Sequence, residues 1–123
     1  MSLAVVDRDP AWAAFLDEPL RRAGVPCMRL TTGAALFRKI RRADLGALIL
    51  DTSIDDYPPA VALPMLRELF PALRIILTAG TMTHSLVEVL RQSPPFHVAV
   101  KPVHPAAFLS IVSNALGRPI VDA

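Results

Sequence analysis

The chain is poor in the residues that announce many kinds of chemistry. One cysteine, Cys27, in 123 residues rules out an internal disulfide. Its apolar surroundings predict a small core side chain rather than a reactive thiol. Nothing in the placement of three histidines and that one cysteine points to a Cys/His cage for a metal. Only five glycines occur and none form a phosphate-cradling loop, which excludes a nucleotide-binding fingerprint. No apolar run approaches the roughly 20 residues of a membrane-spanning helix, and the N-terminus lacks the order of a signal peptide. A cytoplasmic location is therefore expected. The formal charge of +2 is too small to point to nucleic acid or a membrane surface as a partner.

What remains is a chain with 53% apolar residues, long enough for one core and too short for two. Residues 1–123 are read as a single domain, with 117–123 as the start of a linker or tail. The one basic concentration, Arg38, Lys39, Arg41 and Arg42, reads as the solvated face of a helix that buries Leu36, Phe37 and Ile40.

Apolar runs alternate with helical segments along the chain. "LAVVD", "CMRL", "GALILD", "RIILTA" and "HVAVK" have the length and composition of buried parallel strands. The first helix is expected to start with Asp9 as N-cap and Pro10 at its first position. It would turn Trp12, Phe15, Leu16 and Leu20 inward, be kinked by Pro19 and stop at Gly24. Further helices are expected over 33–42, over 64–70 after an irregular proline-rich lead-in, over 83–92, and from Pro105 to Gly117. His84 and His104 fall at helix starts, and His97 is given no role. Five βα units imply a doubly wound parallel sheet with right-handed crossovers. Such sheets gather their chemistry outside the carboxyl ends of the strands.

The residues ending the strands therefore matter: Asp7 and Arg8 after the first, Asp51 after the third, Thr78 after the fourth and Lys101 after the fifth. A carboxylate directly after "ALIL" is costly to bury without a partner. Lys101 is one of two lysines in an arginine-dominated chain, which makes generic surface charge a poorer explanation for it.

With "VVDRD", "LILD", "LTA" and "VKP" in this order, and intervals of 44, 27 and 23 residues between Asp7, Asp51, Thr78 and Lys101, the sequence resembles the receiver domain of bacterial two-component response regulators. The resemblance covers essentially the whole chain. It implies a flavodoxin-like (CheY-like) (βα)5 domain of strand order 2-1-3-4-5, a signalling domain rather than an enzyme. Asp51 would accept a phosphoryl group from a sensor histidine kinase or phosphotransfer protein, assisted by Thr78 and Lys101. Asp7, Asp51 and the backbone carbonyl of Ser53 would hold Mg²⁺. A homodimer through the fourth helix, fifth strand and fifth helix, and an output domain beyond the chain, are further implications.

The pattern departs from the family at several points. Arg8 stands at the second acidic position and cannot coordinate a cation. Asp9 cannot be assumed to substitute for it. Asp55 stands where a proline is usual, and Asp55 or Asp56 could supply a carboxylate or simply be solvated. Val98 replaces the usual aromatic residue three positions before the lysine. Arg8 could partly replace the missing cation beside a phosphoryl group, or form a salt bridge with Asp51 or Asp7 and leave a phosphorylation-independent interaction module. A small phosphatase acting through Asp51 is disfavoured, because "DTSID" lacks the Asp-x-Asp arrangement of aspartate-nucleophile phosphatases.

Overall fold

All five apolar runs become strands of one parallel sheet in the computed structural model, which describes residues 1–41 and 44–121. The strands are β1 (Ser2–Val6), β2 (Cys27–Leu30), β3 (Leu45–Asp51), β4 (Arg74–Ala79) and β5 (His97–Val100), in the order β2-β1-β3-β4-β5. Among the described residues, five α-helices cover the sheet: α1 (Asp17–Arg22), α2 (Gly33–Lys39), α3 (Pro59–Leu69), α4 (His84–Gln92) and α5 (Pro105–Leu116). This is the doubly wound architecture that the alternation predicts. Arg42 of the basic cluster and the last two residues of the tail lie outside the described residues. Arg38, Lys39 and Arg41 are exposed while Leu36 and Ile40 are buried, as expected of a solvated helix face. The half-buried Cys27 has its thiol pushed up by burial, in keeping with an inert core residue.

Strand periodicity sorts the core into two layers, because successive side chains point to opposite faces. Leu3, Val5, Ala47, Ile49 and Ile76 pack with Leu16, Leu20, Phe108, Val112 and Leu116 on the side of α1 and α5. Ala4, Val6, Leu48, Leu50 and Leu77 pack with Leu36, Leu63, Leu66 and Leu86 on the side of α2, α3 and α4. Both faces of the central strands are buried, which explains why those strands read as nearly continuous apolar runs.

Proline placement accounts for two departures from the expected helices. The segment after β1 divides into a 3-10 helical stretch, Pro10–Leu16, followed by α1. Pro19 thus falls within the first turn of α1, where its missing N–H has no intrahelical acceptor to lose, and it introduces no mid-helix kink. Asp9 does not cap this segment with its side chain. Its backbone N–H instead donates to Asp7 Oδ1 at 2.9 Å, so that the carboxylate of Asp7 closes a local turn. Helix α3 is longer than predicted, beginning at Pro59 and continuing through Pro64 to Leu69. Pro64 and Ala60 are both exposed, so the carbonyl that Pro64 cannot satisfy faces water.

The β3–α3 loop is braced against α2. Asp56 accepts hydrogen bonds from the N–H groups of Gly33 and Ala34, each at 2.9 Å, while Thr32 Oγ1 accepts from Ala35 N. These backbone bonds hold the Asp56 carboxyl below the usual aspartate range. Gly33 permits this close approach, since a Cβ there would run into the Tyr57 ring. Asp56 therefore caps a helix instead of lending a carboxylate to the strand ends. Gly117, at φ +70°, ends α5 in the left-handed conformation expected of a C-terminal glycine.

Candidate functional site: a lysine-bridged carboxylate pair

Asp7 directly follows β1, Asp51 ends β3, Thr78 lies in β4 and Lys101 directly follows β5. Within each strand these residues share the parity of the side chains that face the α1/α5 layer: Leu3 and Val5, Ala47 and Ile49, Ile76, and Ala99. Parallel pairing sets Asp51 opposite Thr78 and Thr78 opposite Ala99, and Lys101 N donates to Ala79 O at 2.8 Å. Register and parity together therefore bring four residues from four strand ends to one point.

Lys101 bridges the two carboxylates. Its Nζ lies 2.6 Å from Asp7 Oδ2 and 2.9 Å from Asp51 Oδ1. The Asp7 and Asp51 side chains are only 3% and 5% exposed, against 25% for Lys101. Thr78 Oγ1 donates to Asp51 Oδ1 at 2.6 Å, and the Ser53 N–H donates to Asp51 Oδ2 at 2.9 Å. Burial alone would push the Asp51 carboxyl up, but the bonds from Thr78, Lys101 and Ser53 outweigh it and hold the group below its ordinary 3.8. Burial would likewise push Lys101 down; its bonds to Asp7 and Asp51 prevail and raise it above 10.5.

Asp7 is more fully engaged than Asp51. Its Oδ1 accepts from Asp9 N at 2.9 Å and from Ser53 Oγ at 3.2 Å. Its Oδ2 accepts from Trp12 Nε1 and from Lys101 Nζ, each at 2.6 Å. A carboxylate has about four lone-pair sites, so donors fill them all. Asp51 Oδ2 accepts, among the described residues, from the Ser53 N–H alone and keeps an open direction.

Of the two readings of Arg8, the salt bridge to Asp7 or Asp51 is not formed; the cation between the carboxylates is Lys101. Arg8 is exposed, one residue out of phase with Asp7, and joins the site only through its backbone N–H, 3.3 Å from Ser53 Oγ. Ser53 enters through its N–H and hydroxyl, a side-chain contribution that the sequence reading missed. Val98 packs on the opposite layer, while Phe96 and His97 are exposed. His104 caps α5, its Nδ1 accepting from Ala107 N at 3.3 Å. The Lys101–Pro102 peptide is cis.

Trp12 also escaped the sequence reading as a site residue, having been assigned to the core. It is half-buried, packs on Phe15 and on the edge of Phe108 with centroids 6.2 and 5.5 Å apart, and stands 5.0 Å from Lys101 Nζ. An indole N–H that leaves water needs an acceptor. Asp7, five residues earlier, supplies it.

This donor set does not fit Mg²⁺. A Mg²⁺ site needs oxygen ligands free to coordinate in near-octahedral geometry. Here Asp7 has no lone pair to spare, Arg8 offers none, and an ammonium stands between the two carboxylates. Among the described residues no group of three or more His, Cys, Asp or Glu side chains could hold a metal ion.

No protein-family model and no curated protein matches the chain. Solved structures do. A CheY-like response regulator receiver domain from Methanospirillum hungatei superposes with a TM-score of 0.81 at 19% identity, covering 94% of this chain and 93% of its own. The beryllofluoride-activated DrrB receiver domain gives 0.79 at 22% identity, covering 95% and 97%. The longer response regulator DrrB from Thermotoga maritima matches over 94% of this chain and 52% of its own. The beryllofluoride-activated NtrC4 receiver domain dimer gives 0.81 at 18% identity, covering 94% and 96%. With the strand order and the converging strand ends already described, these likenesses show that the chain has the fold of the response regulator receiver domains.

Proposed function

We propose that the chain is a receiver-type signalling module that acts through protein contacts and holds its acidic site with Lys101 in place of a metal ion. The observation that carries this reading is the Lys101 bridge at 2.6 and 2.9 Å to two buried carboxylates, one of them saturated by donors. An attacking carboxylate must approach an anionic phosphoryl group, and the repulsion has to be offset at the site. Two carboxylates against one ammonium leave the cluster net negative. A divalent ion would reverse that sign; the donors on Asp7 oppose its entry.

A second reading is that Asp51 accepts a phosphoryl group from a histidine kinase or phosphotransfer protein. The open direction on Asp51 Oδ2 and the Thr78 hydroxyl beside Oδ1 favour it. Oδ2 would attack phosphorus and form an acyl phosphate. The phosphorus–nitrogen bond of the donor would break, its electron pair returning to the imidazole, which takes a proton from water.

Incubation with a small phosphodonor, with and without Mg²⁺, followed by intact-mass measurement, separates the two readings. Our reading predicts no phosphoryl adduct on the wild type or on Arg8→Asp. An adduct on the wild type that is lost in Asp51→Asn would establish the second reading instead.

The proposed contact surface is the face carrying α4, the edge strand β5 and α5, and its proposed occupant is a second copy of the chain. Val87 on α4, Val100 on β5 and Phe96 before it are 40, 49 and 44% exposed, and among the described residues no strand pairs with the outer edge of β5. Sedimentation velocity at micromolar concentrations is expected to show a dimer that the Val87→Asp, Val100→Asp double variant abolishes. A wild-type monomer would rule this surface out as a self-association site.

A further inference from the structure

Trp12 ties the edge of the site to its centre. Pro10 and the Asp9 N–H bond to Asp7 start the 3-10 helical stretch immediately after β1, which carries residue 12 back over the carboxylate from which the chain has just left the sheet. Phe108 from α5 and Phe15 from the same stretch then fix the indole by tilted and edge-on contacts. Held there, the indole acts on the site in two ways. Its N–H occupies Asp7 Oδ2 at 2.6 Å, the oxygen that Lys101 also holds, and its ring stands 5.0 Å from the Lys101 ammonium. An indole donates and never accepts, so it can stabilise the carboxylate but cannot join a metal's ligand set.

We propose that Trp12 is a positioning residue that keeps the site free of metal, by committing Asp7 Oδ2 to hydrogen bonds and seating Lys101 between the carboxylates. This rests on the lysine-bridged reading above and adds a specific consequence: Arg8 is only half of the reason that Mg²⁺ is excluded. Restoring an acidic residue at position 8 supplies a ligand without freeing Asp7. Removing the indole N–H frees one lone pair of Asp7 Oδ2, which Lys101 still contacts, without supplying a second acidic partner. Each change alone therefore leaves binding weaker than the two together.

Calorimetric Mg²⁺ titration of the wild type, Arg8→Asp, Trp12→Phe and the Arg8→Asp, Trp12→Phe double variant tests this, with folding followed by circular dichroism. Phenylalanine keeps an aromatic ring at this position and removes the donor along with part of the ring volume; Trp12→Met in the same background serves if the phenylalanine variant folds poorly. The double variant is expected to bind Mg²⁺ at least about ten-fold more tightly than Arg8→Asp alone, the scale on which partners of a metal's ligands act. Loss of packing alone would not raise metal affinity, so the gain separates this role from a structural one. Equal affinities in Arg8→Asp and the double variant, or a folded double variant that binds no Mg²⁺, would overturn the proposal. Either result would leave the wild-type phosphodonor outcome, and with it the proposed function, to stand or fall on its own.

Discussion

Lys101→Met is expected to destabilise the domain by about 3 kcal/mol at neutral pH, because it leaves two nearly buried carboxylates facing each other without a cation. Methionine preserves much of the aliphatic stem, so the loss reports on charge more than on packing. The pH dependence carries the same information. Asp51 titrates below its ordinary 3.8 in the folded protein, so its bonds stabilise the fold above that value and the contribution is lost as pH falls through the folded pKa. Lys101 is raised above 10.5; its contribution is complete below that value and is lost as pH rises through the folded pKa. Between these limits the bridge is intact in the wild type. In Lys101→Met the deficit should be largest near pH 7 and shrink toward pH 4 as Asp51, without its cation, begins to take up a proton. Urea unfolding at the two pH values measures it, and Asp7→Asn in the Lys101→Met background should restore much of the loss by removing one of the opposed charges. A deficit below about 0.5 kcal/mol at pH 7 would mean that solvent screens the pair as it screens a surface ion pair.

Phe108→Ala is expected to cost about 3 to 5 kcal/mol, the range for emptying a buried aromatic site. Phe108 is fully enclosed in the α1/α5 layer and packs edge-on against both Trp12 and Phe15. Because Trp12 holds Asp7, this packing change should reach the site. The emission of Trp12, the only tryptophan, should shift to the red as the ring gains water. Leu50→Ala, in the opposite layer, is the control: it too should destabilise by about 2 to 5 kcal/mol, yet leave the folded-state emission in place. Equal red shifts in the two variants would mean that the layers are not independent.

The strands and the gathering of Asp7, Asp51, Thr78 and Lys101 were legible because a sheet buried on both faces writes itself as short apolar runs, and a polar residue ending such a run stands out. Side-chain parity, read off the same runs, places those four on one face. Other features depend on geometry that composition does not encode. Pro64 reads as a helix breaker, but the helix continues because the orphaned carbonyl faces water. Asp9 reads as a cap, whereas its N–H is claimed by Asp7. Trp12 reads as an apolar residue pointing inward, and its ring does pack there. The missed signal was its N–H, a donor that needed an acceptor, with a carboxylate five residues away. Arg8 suggested a salt bridge because it adjoins Asp7 in sequence, but adjacency along a strand end puts the two side chains out of phase. Lys101, 94 residues from Asp7, fills that place.

If Lys101, and not a metal ion, holds the two carboxylates, Mg²⁺ finds no place beside Asp7. Trp12 provides the probe, since its N–H sits on the oxygen of Asp7 that Mg²⁺ would have to recruit. The decisive experiment titrates the wild-type protein with Mg²⁺ through the millimolar range at pH 7 while following tryptophan emission. The emission is expected not to change; a saturable change that disappears in Asp7→Asn would show that a metal ion takes the place assigned to Lys101.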